Sequence, residues 1–244
     1  MSLKIGITET ATNYQNYINW IKQPLDGFEN VEIVELSFSK GNFMDWKQCN
    51  AILFTGGVDI HPGFHSSNYS LRYPYAPEEF SIVRDEFELN ILERAIDRKL
   101  PILGVCRGLQ LINSFLGGSL HLDNGDNKNQ IHKKEFDSDK QHLVSVIPDT
   151  FLSKIVDVSK GTVNSAHHQS INVLAESLYV SAVSEDEVIE AIEWKKQINH
   201  FFLAVQWHPE RMLDLGSPFS NNIKIAFFQA AKTHLDNYTL STKI

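Results

Sequence analysis

The first stretch of this chain whose residue types could do chemistry is a cysteine set between two glycines, Gly104-Val105-Cys106-Arg107-Gly108. Pro101 to Val105 is a short apolar run, and from Leu109 the apolar positions Leu109, Leu111, Ile112, Phe115 and Leu116 recur at near-helical spacing until Gly117-Gly118 ends them. The pattern predicts a buried strand turning directly into a helix, with Cys106 at the corner. A nucleophile at such a corner sits on strained backbone, and small neighbours let strand and helix close up around it. The unspent N–H groups of the new helix favour a thiolate there. A lone cysteine packs into a core just as readily, so a base is needed to decide. Phe201 to Trp207 reads as an apolar strand ending in His208-Pro209-Glu210. An imidazole can take the thiol proton and return it to a leaving amine, and a carboxylate can hold the ring in the right tautomer. Pro209 stiffens the backbone between the two.

Positioning these groups requires an α/β framework. Leu3 to Thr8, Val31 to Phe38 and Ala51 to Phe54 read as strands, separated by a helical pattern over Asn13 to Lys22 and a short helical piece over Asp45 to Gln48. This order predicts parallel strands with helices on both faces. Thr55-Gly56-Gly57 follows the third strand, at the strand end where open sheets place their sites. Ile60 to Pro77 is a long loop rich in tyrosine, expected to wall the pocket. A long helix is expected over Glu78 to Lys99, started by Pro77, with Arg84-Asp85 in its first half, where solvated surface is the default. Asp123 to Lys140 is strongly polar and reads as an exposed excursion. A strand is expected over His142 to Ile147, then a short helix to Val156 capped by Asp149 or Thr150. Tyr179 to Ser184 and Val188 to Trp194 should form an antiparallel pair turning at Glu185-Asp186-Glu187, and Asn222 to Leu235 a closing helix. The polar tail after Tyr238 is expected to fray.

Composition sets limits on function. The 244 residues, 42% hydrophobic and 21% charged, are ordinary for a soluble globular protein and suffice for one large α/β domain with a full core or two small ones. A net charge of -8 disfavours nucleic-acid or anionic-membrane partners. No apolar run is long enough to span a bilayer, and Met1-Ser2-Leu3 runs straight into a strand, so no signal peptide is expected. Two separated cysteines, Cys49 and Cys106, form no disulfide framework and fit a reducing cytoplasm. The 10 histidines are scattered, without short-range ligand spacing. No metal site is expected, the adjacent pair His167-His168 being the one temptation.

Gly104-Val105-Cys106-Arg107-Gly108 with Gln206-Trp207-His208-Pro209-Glu210 resembles the class I glutamine amidotransferase family, and within it the stand-alone γ-glutamyl hydrolase branch, peptidase C26. Further matching points are Thr55 to Ile60 with Pro62, Arg84-Asp85, Gly117 to Leu120, and Asn164-Ser165-Ala166-His167-His168-Gln169. The resemblance covers nearly the whole chain. It implies a single α/β domain over 1–244: a three-layer sandwich with a mostly parallel central sheet, helices on both faces and a small antiparallel extension, flavodoxin-like. It implies a cysteine hydrolase in which Cys106, His208 and Glu210 are catalytic. The glycine loop (Gly57, with Val58 as the alternative) and Arg107 would supply the backbone donors of an oxyanion hole. Gln110, His167 and Gln169 are expected to hold the substrate's glutamyl head, and a role for Arg84-Asp85 in shaping the site is implied. Neither cofactor nor metal is called for. The expected partner is a small γ-glutamyl compound, and homodimerisation is left open. The competing readings are a glutaminase subunit feeding ammonia to a separate synthetase chain, and a non-catalytic binding protein on the same fold.

Overall fold

In a computed structural model, which describes residues 2–195 and 200–241, the chain builds around one nine-stranded sheet. The strands are β1 Leu3–Thr8, β2 Val31–Leu36, β3 Ala51–Phe54, β4 Ile102–Val105, β5 Ser119–His121, β6 Lys140–Val146, β7 Lys160–Ser165, β8 Ser170–Val173, β9 Leu178–Ser184, β10 Ile189–Trp194 and β11 Phe202–Val205. The helices are α1 Tyr14–Lys22, α2 Ile82–Asp97, α3 Arg107–Phe115, α4 Gly125–His132, α5 Phe151–Val156 and α6 Ile223–Ser241. The sheet order is β2-β1-β3-β4-β11-β10-β9-β6-β7, with β5 and β8 forming a separate two-stranded ribbon.

The first five strands in that order run parallel, and β10, β9, β6 and β7 extend them antiparallel. Strands β3 and β4 are buried at every position. They lie inside a parallel sheet covered on both faces, so their apolar runs are continuous rather than alternating. One face is covered by α1, α5 and α6 through Tyr17, Trp20, Leu152, Val156, Phe227 and Phe228. The other is covered by α2 and α3 through Ile91, Leu92, Leu109 and Ile112. This is the expected three-layer α/β architecture. No helix among the described residues is long and apolar enough to cross a membrane.

Three local expectations need correction. Helix α2 begins at Ile82, not Glu78, because the Ser81 hydroxyl accepts the Arg84 amide N–H and caps the helix there. The polar stretch 123–140 is not simply an exposed excursion. It folds into α4, whose His132 is fully buried, since polar side chains that find partners can face inward. Helix α6 runs on to Ser241, past the point where fraying was expected, while residues 242–244 lie outside the described residues. Thr150, rather than Asp149, caps α5.

Candidate active site

The ends of three adjacent parallel strands meet here: Gly56 after β3, Cys106 after β4, and Gln206 to His208 after β11. Cys106 takes φ 52 and ψ -103, a conformation that non-glycine residues avoid. The Gly108 site explains how the elbow closes: a Cβ there would strike the carbonyl oxygen of Phe54 at the end of β3. Strand and helix therefore approach as the flanking glycines suggest. Arg107 opens α3, so its backbone N–H, lying in the first turn, has no carbonyl four residues back to bond.

The His208 Nδ1–H donates to Glu210 Oε1 at 2.9 Å. Both residues are buried, at 5% and 3% exposure. The Cys106 side chain is the next influence on the ring after Glu210. Burial works against a charged ring, but Glu210 and the Cys106 sulfur outweigh it, and the imidazole is raised from 6.5 to about 9. A short 3-10 turn over Pro209–Arg211 brings Glu210 back under the ring, and Asn164 Oδ1 accepts the His208 backbone N–H at 3.0 Å. Gln206 Nε2 lies 3.5 Å from the Cys106 sulfur. Gly56 forms the third side: a Cβ there would lie 3.0 Å from His208 Cε1 and 3.5 Å from Cys106 Cβ.

Tyr17, for which no site role was expected, and Arg84 hold the glycine loop. The Tyr17 hydroxyl accepts the Gly56 N–H at 2.8 Å, and Arg84 Nη2 donates to the Gly56 carbonyl at 2.9 Å. In a trans peptide the N–H points opposite to the C=O. Arg84, by holding the Gly56 carbonyl, therefore turns the Gly57 N–H away from itself. Gly57 sits at φ 138, and a side chain there would run into Arg84 and Thr10. Arg84 is gripped by Glu88 at 3.1 Å, Glu88 also pairs with the Arg107 side chain, and Arg107 pairs with Asp85. Asp85 accepts the His61 backbone N–H at 3.0 Å. The default of a solvated Arg84-Asp85 pair is thus overturned: both are buried, at 4% and 1% exposure, and they tie α2 to the elbow and the glycine loop. Glu88 and Tyr17 looked like ordinary helix positions, and only the tertiary contacts single them out.

The expected substrate contacts divide. Gln110 Nε2 donates to the Gln169 carbonyl at 3.2 Å and to Gln206 Oε1 at 3.3 Å, which places it beside the thiol. The Gln169 side chain reaches Tyr73 and the Leu122 carbonyl, at 3.4 and 3.1 Å, so it braces the long loop. His167 does not aim at the site. Its Nδ1–H goes to the Gln169 carbonyl at 2.9 Å and its Nε2 faces Glu190. Full burial, with only partial relief from the carbonyl bond, pushes its ring down to about 3 and keeps it neutral. His168 points to the opposite side, 3.2 Å from Asp59 and 3.3 Å from Asp123. Tyr73 of the long loop donates to Asp59 at 2.9 Å, so the loop after β3 packs on the 167–169 segment.

The peptidase C26 family model matches residues 44–210, from the turn before β3 to Glu210. The chain belongs to the peptidase C26 family. A glutamine amidotransferase-like protein of Rickettsia prowazekii is 31% identical over 74% of this chain and 75% of its own length. The γ-glutamyl-γ-aminobutyrate hydrolase PuuD of Escherichia coli is 36% identical over 52% of each chain. The glutaminase domain of a Trypanosoma brucei CTPS with bound acivicin shares the fold, with a TM-score of 0.66, 14% identity and coverage of 95% and 94%. A Thermotoga maritima glutamine amidotransferase does so at 0.59 and 16%, covering 86% of this chain and 77% of that one. As a C26 member the protein is a hydrolase of the glutamine amidotransferase group.

Proposed function

We propose that this C26 hydrolase cleaves the γ-glutamyl amide bond of a small γ-glutamyl compound, through a thioester on Cys106. The observation that carries the reading is the convergence of a strained cysteine elbow with a buried histidine-carboxylate pair on the neighbouring strand end. Cys106 sulfur attacks the γ-carbonyl, and the tetrahedral oxyanion is met by the Gly57 and Arg107 backbone N–H groups. The His208 imidazolium protonates the departing amine as the carbon–nitrogen bond breaks. The neutral ring then takes a proton from water, whose oxygen attacks the thioester and releases glutamate and the thiol. Glu210 fixes the tautomer and stabilises the imidazolium. Arg84 orients the Gly57 amide, and Gln110 and Gln206 flank the acyl group.

The test is glutamate release from glutamine, γ-glutamyl-γ-aminobutyrate, γ-glutamyl dipeptides and a folyl polyglutamate, by the wild type and by Cys106→Ala. Release from one γ-glutamyl amide well above glutamine, abolished in a folded Cys106→Ala protein, is the expected outcome. Activity that survives the substitution refutes the assignment. Release only from glutamine, and only with a second protein present, would instead make the chain a glutaminase subunit.

A further inference from the structure

Behind the thiol, on the side away from the glycine loop, four chemically unusual neighbours share one buried volume. They are His132 at the end of α4, His142 on β6, His167 after β7 and Glu190 on β10. Their inward atoms all lie within 4.8 Å of one another. Glu190 and His132 are fully buried, and the His142 and His167 side chains are 6% and 2% exposed.

The outward nitrogen of each ring is committed to an oxygen that can only accept. His167 Nδ1–H donates to the Gln169 carbonyl at 2.9 Å and His142 Nδ1–H to the Leu143 carbonyl at 3.2 Å. His132 Nε2–H donates to the Asp186 carboxylate at 3.0 and 3.1 Å. In the neutral rings the inward nitrogens are therefore bare lone pairs. All three face Glu190 Oε1, itself an acceptor, at 3.4 Å from His132, 3.4 Å from His142 and 3.6 Å from His167. His142 Nε2, His167 Nε2 and both Glu190 oxygens have no hydrogen-bond partner among the described residues. Four acceptors turned on one another in a buried space are unfavourable. The Ser165 hydroxyl, 3.4 Å from His132 Nδ1, can serve that nitrogen, and a proton on Glu190 would satisfy one more, which still leaves a ring nitrogen without a donor.

A cation satisfies all four. Ligand atoms bonded to zinc at about 2.0–2.1 Å stand about 3.3 Å apart along a tetrahedral edge; the three distances to Glu190 Oε1, 3.4–3.6 Å, are close to this, and the set as a whole, within 4.8 Å, would draw in slightly around an ion. Histidines that donate their outer N–H to a carboxylate or a carbonyl are the usual setting of imidazole ligands. We propose that His132, His142, His167 and Glu190 form a closed four-coordinate site for a divalent metal of the zinc class. Four protein ligands leave no open position, so the ion is structural and takes no part in bond cleavage. It pins α4 and the 140–167 hairpin to β10. It also backs the site: the Glu190 carbonyl accepts the Gln206 N–H at 2.7 Å, and the Gln169 carbonyl held by His167 accepts from Gln110. No short-range ligand spacing marks the site in the chain, because the four ligands come from four separate segments.

The proposal stands apart from the substrate reading and is tested without activity. Full-length wild-type protein is loaded with zinc, dialysed and assayed by elemental analysis, with cobalt(II) loading read by visible absorption. The expected results are about one retained equivalent, tetrahedral d–d bands without a thiolate charge-transfer band, and a Tm drop of roughly 10 °C on chelation that zinc reverses. Cys106→Ser should keep the metal, whereas Glu190→Gln and His142→Ala should retain less than about a tenth of it. Retention below about a tenth of an equivalent in the wild type overturns the proposal, whatever the variants do. So does a thiolate charge-transfer band, or loss of the metal in Cys106→Ser, since either places the ion on the thiol.

Discussion

Replacing Glu210 by Gln removes one negative charge from under His208 while keeping an oxygen in place to accept the Nδ1–H, now 2.9 Å from Oε1. In the wild type, burial opposes the imidazolium, and Glu210 is the first of the charges that raise it from 6.5 to about 9. Removing an opposite charge in contact lowers a pKa by roughly 1–3, so the ring should titrate at about 6–8 in the variant. The consequence for stability has a definite sign. A folded-state value above the unfolded 6.5 adds stability that is fully present below pH 6.5 and is lost as pH rises to about 9. The gap is worth roughly 3 kcal/mol. His168, raised by Asp59 and Asp123 against the effect of burial, acts in the same direction, so the difference between wild type and Glu210→Gln isolates the His208 share. Urea melts at pH 6.5 and 9 should show wild-type stability falling across this window and the variant falling less. Titration of 13C-labelled histidine, with the His208 signal assigned from its loss in His208→Gln, reads the ring directly. Turnover near neutral pH should drop about 10²–10⁴-fold, as expected when a general acid is lost. A His208 signal still titrating near 9 in Glu210→Gln, or an unchanged stability difference between the two pH values, would refute the claim that this carboxylate holds the ring protonated.

Other expected outcomes follow from the same contacts. Arg84→Ala leaves Glu88 with one cation fewer and frees the Gly56 carbonyl; a loss of about 3–5 kcal/mol in urea unfolding is expected for a broken buried pair, with kcat reduced more than KM affected. Tyr17→Phe strands the buried Gly56 N–H, which should cost about 1–3 kcal/mol by the same measurement and lower turnover without changing the His208 titration. Gly108→Ala drives a methyl into the Phe54 carbonyl, and a destabilisation of about 1–3 kcal/mol or more is expected, read as a lower Tm. In the folded protein at pH 7.5, iodoacetamide should modify Cys106 and spare Cys49. Burial and Asp45 push the Cys49 thiol up to about 12, and peptide mass mapping of the two cysteines decides the point.

The amino-acid sequence by itself determined the elements whose signals are local. The strand-to-helix corner at Cys106 is written in a change of apolar period and two flanking glycines, and the His-Pro-Glu strand end needs no partner to be recognised. The parallel order follows from strands alternating with helical patterns, because a crossover connection leaves a periodicity that can be read residue by residue. The tertiary structure decided everything that depends on which side chain a residue meets. Arg84 and Asp85 look like surface charges until Glu88 and Arg107 close a buried network around them. Ser81, not Pro77, starts α2 because a hydroxyl within reach of the Arg84 N–H outweighs a proline with a favourable φ. The polar 123–140 segment buries His132 because Asp186 and the Ser165 hydroxyl await it across the fold. His167 sits in a motif that suggests substrate contact, yet its ring turns toward Glu190, since a carbonyl two residues on captures its other nitrogen. Spacing along the chain carries no record of such long-range pairings; they exist only once β10 lies beside β11 and the β6–β7 hairpin joins the same sheet through β9.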